Sequence, residues 1–207
     1  MLTHTDGDHL GGLPSILKEF RPHTLFESGV VGSSRLYEEY RDVGAKLTLS
    51  PQILKRGDNI EGISGVTLEI LHPPRPFLRG TGRDENNNGL VLKMRYGKTA
   101  FLFSADLEKD GVQSLLDSNQ PLSAQILKVP HHGGRVGNLR QFLLAVRPEI
   151  AVISVGSAKR YSHPAPSTLE ELVRFGLEVH QTVQEGAVVV ESDGSRFFVK
   201  KSVRRGD

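Results

Sequence analysis

Four side chains that can bind metal ions lie within six residues near the start of the chain. They are two imidazoles and two carboxylates, His4, Asp6, Asp8 and His9, and a pair of glycines follows soon after them. A solvated surface loop is the alternative interpretation, but four ligand side chains at this spacing favour a metal site. Because the sequence contains no cysteine, the ligands must be His and carboxylate, which suit zinc, manganese or iron.

Four further candidates, Asp106, His131, His132 and His163, each lie just beyond the end of a predicted strand, where α/β folds gather their site residues. A helix N-cap for Asp106 and an ordinary turn for the adjacent histidines are the alternatives. Eight candidate ligands suit two divalent ions about 3.5 to 4 Å apart that share a carboxylate. Such ions lower the pKa of bound water towards 7 and neutralise charge on a phosphoryl or acyl oxygen, so the predicted chemistry is hydrolysis.

The elements that must position these residues alternate between helix and strand. Apolar residues at helical spacing predict helices at 12–20, 33–43, 108–116, 138–146 and 167–175. Apolar and β-branched runs predict strands at 24–27, 45–49, 90–96, 99–104, 124–129, 150–155, 177–181, 187–191 and 196–199, with shorter ones within 52–71. This order predicts one α/β domain over residues 1–199, followed by a basic tail at 200–207.

Composition limits the class of protein more than it limits the function. A chain of 207 residues with 37% hydrophobic residues can bury one sizeable core. No apolar run approaches the ~18 to 20 residues that span a bilayer, so we expect no membrane insertion by this chain, and a cytoplasmic location if it stands alone. The net charge of +2 comes from the basic tail and is weak evidence for an anionic partner. The oligomeric state stays open.

The first cluster carries a family resemblance. His4-x-Asp6-x-Asp8-His9 resembles the HxHxDH signature of the metallo-β-lactamase superfamily, in the variant with Asp at the second position. The resemblance implies that His4 and Asp6 hold one metal ion while Asp8 and His9 hold the other. Asp106 matches the aspartate that bridges the two ions.

Five sequence runs extend this resemblance along the chain. They resemble, in order, the metallo-β-lactamase domain of ComEC-type DNA-uptake proteins: LTHTDGDHLGGL, NNNGLVL, FLFSAD, ILKVPHHGG and YSHP. The match runs from residue 3 to about residue 190. It implies a four-layer αββα sandwich, and because so few residues precede the first cluster we expect its first strands to be missing.

The same resemblance assigns the remaining histidines. His131 and His132 match the double histidine that completes the metal shells, and which of them binds which ion stays open. His163 matches a histidine near the site that contacts substrate or assists proton transfer. The expected catalytic groups are therefore Asp8, which also holds metal, and His163.

Substrate contacts are expected from the polar residues near the site. The amides of Asn87 and Asn88 could orient substrate oxygens, and Arg160 could contact an anionic group. Ordinary loop polarity is the alternative for the asparagines. Three positions depart from the family pattern, since Ala105 and Ser162 stand where a glycine is usual and Gly89 where a serine is usual.

The expected function is that of a metal-dependent hydrolase with two divalent ions, Zn or Mn, whose bridging hydroxide attacks a phosphodiester. Single-stranded DNA is a possible substrate, because the motifs are similar to those of the DNA-uptake proteins. One alternative is hydrolysis of a small phosphoester, thioester or lactone. The other is a catalytically weak domain that binds metal or nucleic acid.

Overall fold

The computed structural model describes residues 1–20, 22–156 and 162–202. Its strands are β1 (Phe26–Glu27), β2 (Gln52–Ile53), β3 (Asn59–Ile60), β4 (Val66–His72), β5 (Val91–Tyr96), β6 (Thr99–Phe103), β7 (Ile126–Lys128), β8 (Ile150–Ile153), β9 (Glu178–Gln181), β10 (Val188–Ser192) and β11 (Phe197–Lys201). Its α-helices are α1 (Gly7–Leu10), α2 (Leu13–Phe20), α3 (Arg35–Lys46), α4 (Asp84–Asn87), α5 (Lys109–Leu116), α6 (Leu139–Val146), α7 (Pro166–Arg174) and α8 (Thr182–Glu185). A short 3₁₀ segment, Pro130–Gly133, lies between β7 and α6.

A seven-stranded mixed sheet forms the centre of the molecule, with the strand order β3-β4-β5-β6-β7-β8-β9. The strands from β3 to β6 pair antiparallel, and those from β6 to β9 pair parallel. A smaller parallel pair joins β1 to β2, and Leu2 bridges to Glu27 beside it. The hairpin of β10 and β11 forms a separate antiparallel pair.

Four apolar clusters connect the described elements. One of them, with Phe101 and Ile126, packs the β10–β11 hairpin on the central sheet, and the other three build four layers. The largest packs α5, α6 and α7 on one face of the central sheet, with Leu127 and Phe142 fully buried. Ile70 and Leu90 fill the space between the central sheet and the β1–β2 pair. Leu17 lies in a third cluster, which packs α2 and α3 against the outer side of that pair. The predicted four-layer α/β arrangement is confirmed, with a helix layer outside each sheet.

The parallel half of the sheet explains how distant residues meet. Since β6, β7 and β8 run in the same direction, their carboxyl ends lie at one edge, and the loops that leave them are neighbours. Asp106 follows β6, and His131 and His132 follow β7. Buried positions within these strands, such as Leu102 and Ile153, fix the edge in place.

The strand predicted at 45–49 is wrong. Helix α3 continues to Lys46, and the backbone N–H of Leu49 donates to the carbonyl of Gly44 in the turn that follows. Leu47 and Leu49 alternate in sequence as strand residues do, but they pack from this turn against the helical cluster. The partner of β1 is instead β2, which follows the turn.

The predicted basic tail is also partly structured. Strand β11 continues to Lys201, two residues beyond the predicted end of the domain. The ammonium groups of Lys200 and Lys201 pair with Glu191 at 2.6 Å and Glu185 at 2.8 Å, respectively. Across the ranges that the structure describes, no helix is both long and apolar enough to span a bilayer.

Phe142→Ala should destabilise the protein by about 3 to 5 kcal/mol, because a fully buried ring is replaced by a cavity in the largest cluster. Leu144→Ala on the same helix is the matched control, since Leu144 is 58% exposed, and should change stability by less than about 0.5 kcal/mol. Urea unfolding followed by circular dichroism measures both. Equal effects of the two substitutions would contradict the packing of α6 described here.

Candidate metal centre

Four potential ligand atoms, all within 4.8 Å of one another, come from Asp8, His9, Asp106 and His132. The Nε2 atom of His132 lies 3.1 Å from carboxylate oxygens of both Asp8 and Asp106. The Nε2 atom of His9 lies 3.3 Å from the same oxygen of Asp106 and 3.2 Å from His132 Nε2. Two imidazole nitrogens and two carboxylates that point at a common centre form a donor set suited to a divalent ion.

The Asp106 carboxylate lies at the centre of this cluster and is 3% exposed. Burial by itself would raise the pKa of this carboxyl, but hydrogen bonds from His132 and His9 outweigh it and hold the pKa well below its usual range. The hydrogen bond to Asp106 in turn raises the pKa of His132. Asp106 is therefore ionised at neutral pH, as a metal ligand must be.

The structure separates the two adjacent histidines, which sequence reasoning could not do. The Nδ1–H of His132 donates to the carbonyl of Ser154 at 2.7 Å, so Nε2 is the nitrogen that faces the cluster and that would bind a cation once it is deprotonated. The Nδ1 of His131 instead lies 3.4 Å from Glu108, and its ring centroid lies 5.2 Å from that of His163. The structure therefore brings His132 into the four-residue cluster and leaves His131 beside it.

His4 and Asp6 lie next to the cluster and outline a second position. The Nε2 of His4 and the Oδ1 of Asp106 are buried, and neither has a hydrogen-bond partner within the described part of the chain. Burial, and then the neighbouring His9, lower the pKa of His4 to about 4, so its imidazole is neutral. Asp6 lies 3.9 Å from His4 Nε2. Since buried polar atoms are rarely left unpaired, these two atoms are suited to a cation.

Thr3 is a positioning residue that sequence reasoning missed. Its hydroxyl lies 3.1 Å from His4 Nδ1 and 3.3 Å from His9 Nδ1. A hydroxyl oxygen can accept two hydrogen bonds, and if both Nδ1–H groups donate to it, both Nε2 atoms are directed at the cluster. The only sequence signal for this role is the position of Thr3 directly before the ligand motif. Threonine is too common for that position alone to predict a role in the site.

Lys128 was missed for a similar reason. Its ammonium lies 3.8 Å from Asp106 Oδ1 and donates to the carbonyls of Ala105 and Val129, both at 3.3 Å. Ala105 precedes Asp106, and Val129 leads into the histidine pair. The ammonium group of Lys128 therefore connects the two loops that carry the candidate ligands.

An open cleft of about 710 Å³ surrounds the cluster. Its lining includes five of the seven predicted metal ligands, and also Gly7, Arg83 and His163. The prediction of His163 near the site is thus consistent with its position in the cleft. Arg83 was not predicted. Arg160, which was predicted to bind substrate, lies outside the described residues.

The predicted substrate contacts of Asn87 and Asn88 need correction. Both residues are 1% exposed, and their amides bond inside the protein. Asn87 Oδ1 accepts from the backbone N–H groups of Glu108 and Gly111, and Asn88 bonds both backbone groups of Leu78. These amides hold the loop before β5 against α5, so they support the site from behind.

Gly89 lies behind His4 in a close-packed position. A Cβ added at Gly89 would lie 3.1 Å from the carbonyl oxygen of Asn86 and 3.2 Å from the Cβ of Ala105. Ala105 itself has a φ of 48°, in the left-handed region that residues with a Cβ disfavour. These two of the three departures from the family pattern are therefore in contact, and the Cβ gained at residue 105 occupies space beside the Cβ absent at residue 89.

Comparisons with known proteins agree with this geometry. The sequence pattern that defines the metallo-beta-lactamase superfamily matches residues 1–157. ComE operon protein 3 of Bacillus subtilis (strain 168) is 31% identical over 192 residues, which cover 91% of this chain and 24% of that protein. Competence protein ComA of Neisseria gonorrhoeae is 28% identical over 190 residues, with the same two coverages. The chain therefore spans about a quarter of the length of these relatives.

Solved structures show the same fold at lower sequence identity. A protein provisionally described as a metal-dependent hydrolase from Parabacteroides distasonis ATCC 8503 has a TM-score of 0.54 and 15% identity, over 87% of this chain and 73% of that one. The E377D mutant of CmlA beta-hydroxylase has a TM-score of 0.53 and 12% identity, over 87% and 42%. These similarities concern the fold alone.

His132→Ala should weaken the binding of Zn²⁺ or Mn²⁺ by more than about 100-fold, because loss of a direct ligand should exceed the 10 to 100-fold typical of outer contacts. His131→Ala is the matched control and should cost less than about 10-fold. Isothermal titration calorimetry with each metal measures both. A larger loss in the His131 variant would show that His131, rather than His132, is the direct ligand.

Gly89→Ser should destabilise the protein by about 1 to 2 kcal/mol, because its Cβ meets Ala105. Ala105→Gly should be close to neutral, since relief of the left-handed conformation is offset by greater freedom of the unfolded chain. The double variant should be more stable than the sum of the single effects by about 1 kcal/mol. Thermal unfolding of the four proteins measures this coupling, and strict additivity would show that the two positions do not compensate.

Proposed function

This chain belongs to the metallo-β-lactamase superfamily, and we propose that it is a metal-dependent hydrolase that cleaves phosphodiesters, with single-stranded DNA as the candidate substrate. The observation that carries the proposal is the convergence of Asp8, His9, Asp106 and His132 on one point inside an open cleft. The fold and this cluster support hydrolysis. The choice of a phosphodiester rests on the similarity to competence proteins and on the arginine in the cleft.

We assign two divalent ions, Zn or Mn, to the site. One would be held by the four-residue cluster, and the second by His4 and Asp6 with Asp106 between the two. The unpaired buried atoms of His4 and Asp106 support the second position. Bound ions would supply Lewis-acid activation of water and neutralise charge on a phosphoryl oxygen.

The residues of the chain prepare the site for that chemistry. The carbonyl of Ser154 fixes the ring of His132, so its ligand nitrogen needs no reorientation when a cation arrives. Asp8 is the most exposed member of the cluster, which places its carboxylate at the open side where substrate and water enter. Arg83 in the cleft lining can bind a non-bridging phosphoryl oxygen.

His163 is assigned to substrate positioning and proton transfer. Burial, and then the neighbouring His131 and His132, lower the pKa of His163 below its ordinary value, so the imidazole is neutral at pH 7. A neutral imidazole can accept a proton at one nitrogen and donate a hydrogen bond to a substrate oxygen from the other. Its place in the cleft, beside His131, is compatible with both tasks.

A second candidate is hydrolysis of a small phosphoester, thioester or lactone. The cleft volume of about 710 Å³ lies within the range of small-molecule sites, ~300 to 1,000 Å³. The same cation sites would serve either substrate class. The similarity to competence proteins favours the phosphodiester, and a part in DNA uptake belongs to the same proposal.

The purified chain should hydrolyse bis(p-nitrophenyl) phosphate with added Mn²⁺ or Zn²⁺, and a chelator should abolish the reaction. His4→Ala and Asp106→Asn should each lower kcat by more than about 100-fold, since both remove direct contacts to the ions. His23→Gln, on an exposed residue, is the control and should retain full activity. The same proteins are then tested on a labelled single-stranded oligonucleotide.

Each contrary result has a distinct meaning. Cleavage that persists in His4→Ala and Asp106→Asn would identify a contaminating enzyme. Metal bound without cleavage of any diester would favour the non-catalytic binding domain. Hydrolysis of thioesters or lactones in preference to diesters would establish the second candidate.

A further inference from the structure

Three arginines recur at every fourth position in the loop between β4 and α4: Arg75, Arg79 and Arg83. All three are exposed. The arginine ion pairs found in residues 1–20, 22–156 and 162–202 belong to other parts of the surface, so none of these three guanidinium groups has its charge cancelled by direct contact with a carboxylate. We call this set the arginine edge.

The loop that carries the arginine edge is held in one conformation by side-chain hydrogen bonds. The carboxylate of Asp84 accepts from the backbone N–H of Thr81 at 2.8 Å and from its hydroxyl at 2.8 Å. The amide of Asn88 bonds the N–H and the carbonyl of Leu78 at 2.9 and 3.0 Å. A charged loop that is already ordered loses less conformational entropy when it binds a ligand.

An aromatic ring fixes the spacing of the first two guanidinium groups. The Arg75 group lies 3.8 Å from the ring centroid of Phe77, and the Arg79 group lies 5.9 Å from it. Arg75 also donates to the carbonyl of Ser28 at 2.7 Å, so it braces the loop against the body of the protein. Since the ring already contacts cations, the edge presents charge rather than a stacking platform for bases.

Arg83, the last residue of the arginine edge, lines the open cleft together with Asp6 and Asp8. A ligand with regularly repeated negative charges could contact the outer arginines while one of its phosphates lies at the cluster. The Asp106 carboxylate is buried in the cleft, and the cleft of about 710 Å³ has the size of a small-molecule site, so it would admit one strand rather than a duplex.

We infer that the arginine edge binds the sugar-phosphate backbone of a single-stranded nucleic acid and leads it into the cleft. Cleavage of the bound strand rests on the proposed function, whereas binding alone requires no cleavage. Because the contacts are made to phosphates, binding should depend strongly on salt and little on base sequence.

Fluorescence anisotropy with a labelled single-stranded DNA of mixed sequence tests this inference, with a chelator present so that no cleavage occurs. Arg79→Gln with Arg83→Gln removes two contacts and leaves the brace at Arg75. The slope of log K against log salt should become shallower by about 1.4, which corresponds to roughly 25-fold weaker binding at ~0.1 M salt. Arg79→Lys with Arg83→Lys should restore most of the affinity, because phosphate contacts require charge.

Arg147→Gln is the matched control. Arg147 is exposed and follows the carboxyl end of α6, at the edge of the sheet opposite the cleft, and its substitution should leave the affinity and the salt slope unchanged. Equal binding by the wild type and the glutamine double variant, or no binding by the wild type, would overturn the inference. If cleavage of small diesters is found without arginine-dependent binding, only the arginine edge fails. If the binding is found without any hydrolysis, only the proposed function fails.

Discussion

The buried charge of Asp106 is the constraint on which the arrangement of the site depends. A buried carboxylate is costly unless partners compensate its charge, and here those partners are His9, His132 and Lys128. They come from the first helix, the loop after β7 and β7 itself, so the charge can be satisfied only when the central sheet and the N-terminal segment are both in place. The parallel half of the sheet meets this requirement, since it brings the carboxyl ends of β6 and β7 to one edge. Fold and site are thus coupled through a single side chain.

The parts of the site that follow from local rules were predictable from the sequence. The four ligands from His4 to His9 are close because they are close in the chain, and Asp106 joins them because parallel strands share an edge. The roles of His131 and His132 depend on the carbonyl of Ser154, which lies on another strand, and no spacing rule could identify it. The alternation of helices and strands was predicted because apolar periodicity reflects burial, and the four layers came from the family resemblance. Leu47 and Leu49 gave a strand signal from a turn whose packing is set by distant helices.

Metal binding and stability are linked in this arrangement. Within the described residues, His4 Nε2 and Asp106 Oδ1 have no hydrogen-bond partner, although Lys128 compensates part of the Asp106 charge. A buried polar atom without a hydrogen bond costs about 1 to 3 kcal/mol. A cation that binds only the folded chain removes that cost and adds its own binding free energy. The contacts of the Thr3 hydroxyl with the Nδ1 atoms of His4 and His9 keep both imidazole rings oriented before an ion arrives, which reduces the entropy lost on binding. The arrangement therefore favours cation binding and lowers the stability of the protein without a cation.

The negative charge at the cleft also determines whether a phosphate can enter before a cation has bound. Without cations, the carboxylates of Asp6, Asp8 and Asp106 oppose the approach of a phosphate, because like charges repel most strongly where water is excluded. The arginine edge lies outside the cluster and can hold a polyanion near the cleft, but one guanidinium at the cleft lining does not cancel three carboxylates. Bound divalent ions would reverse the local charge and make the same cluster attractive to a phosphate. Under the proposed function, capture by the exposed arginines would thus be separate from productive entry, which would require metal at Asp106.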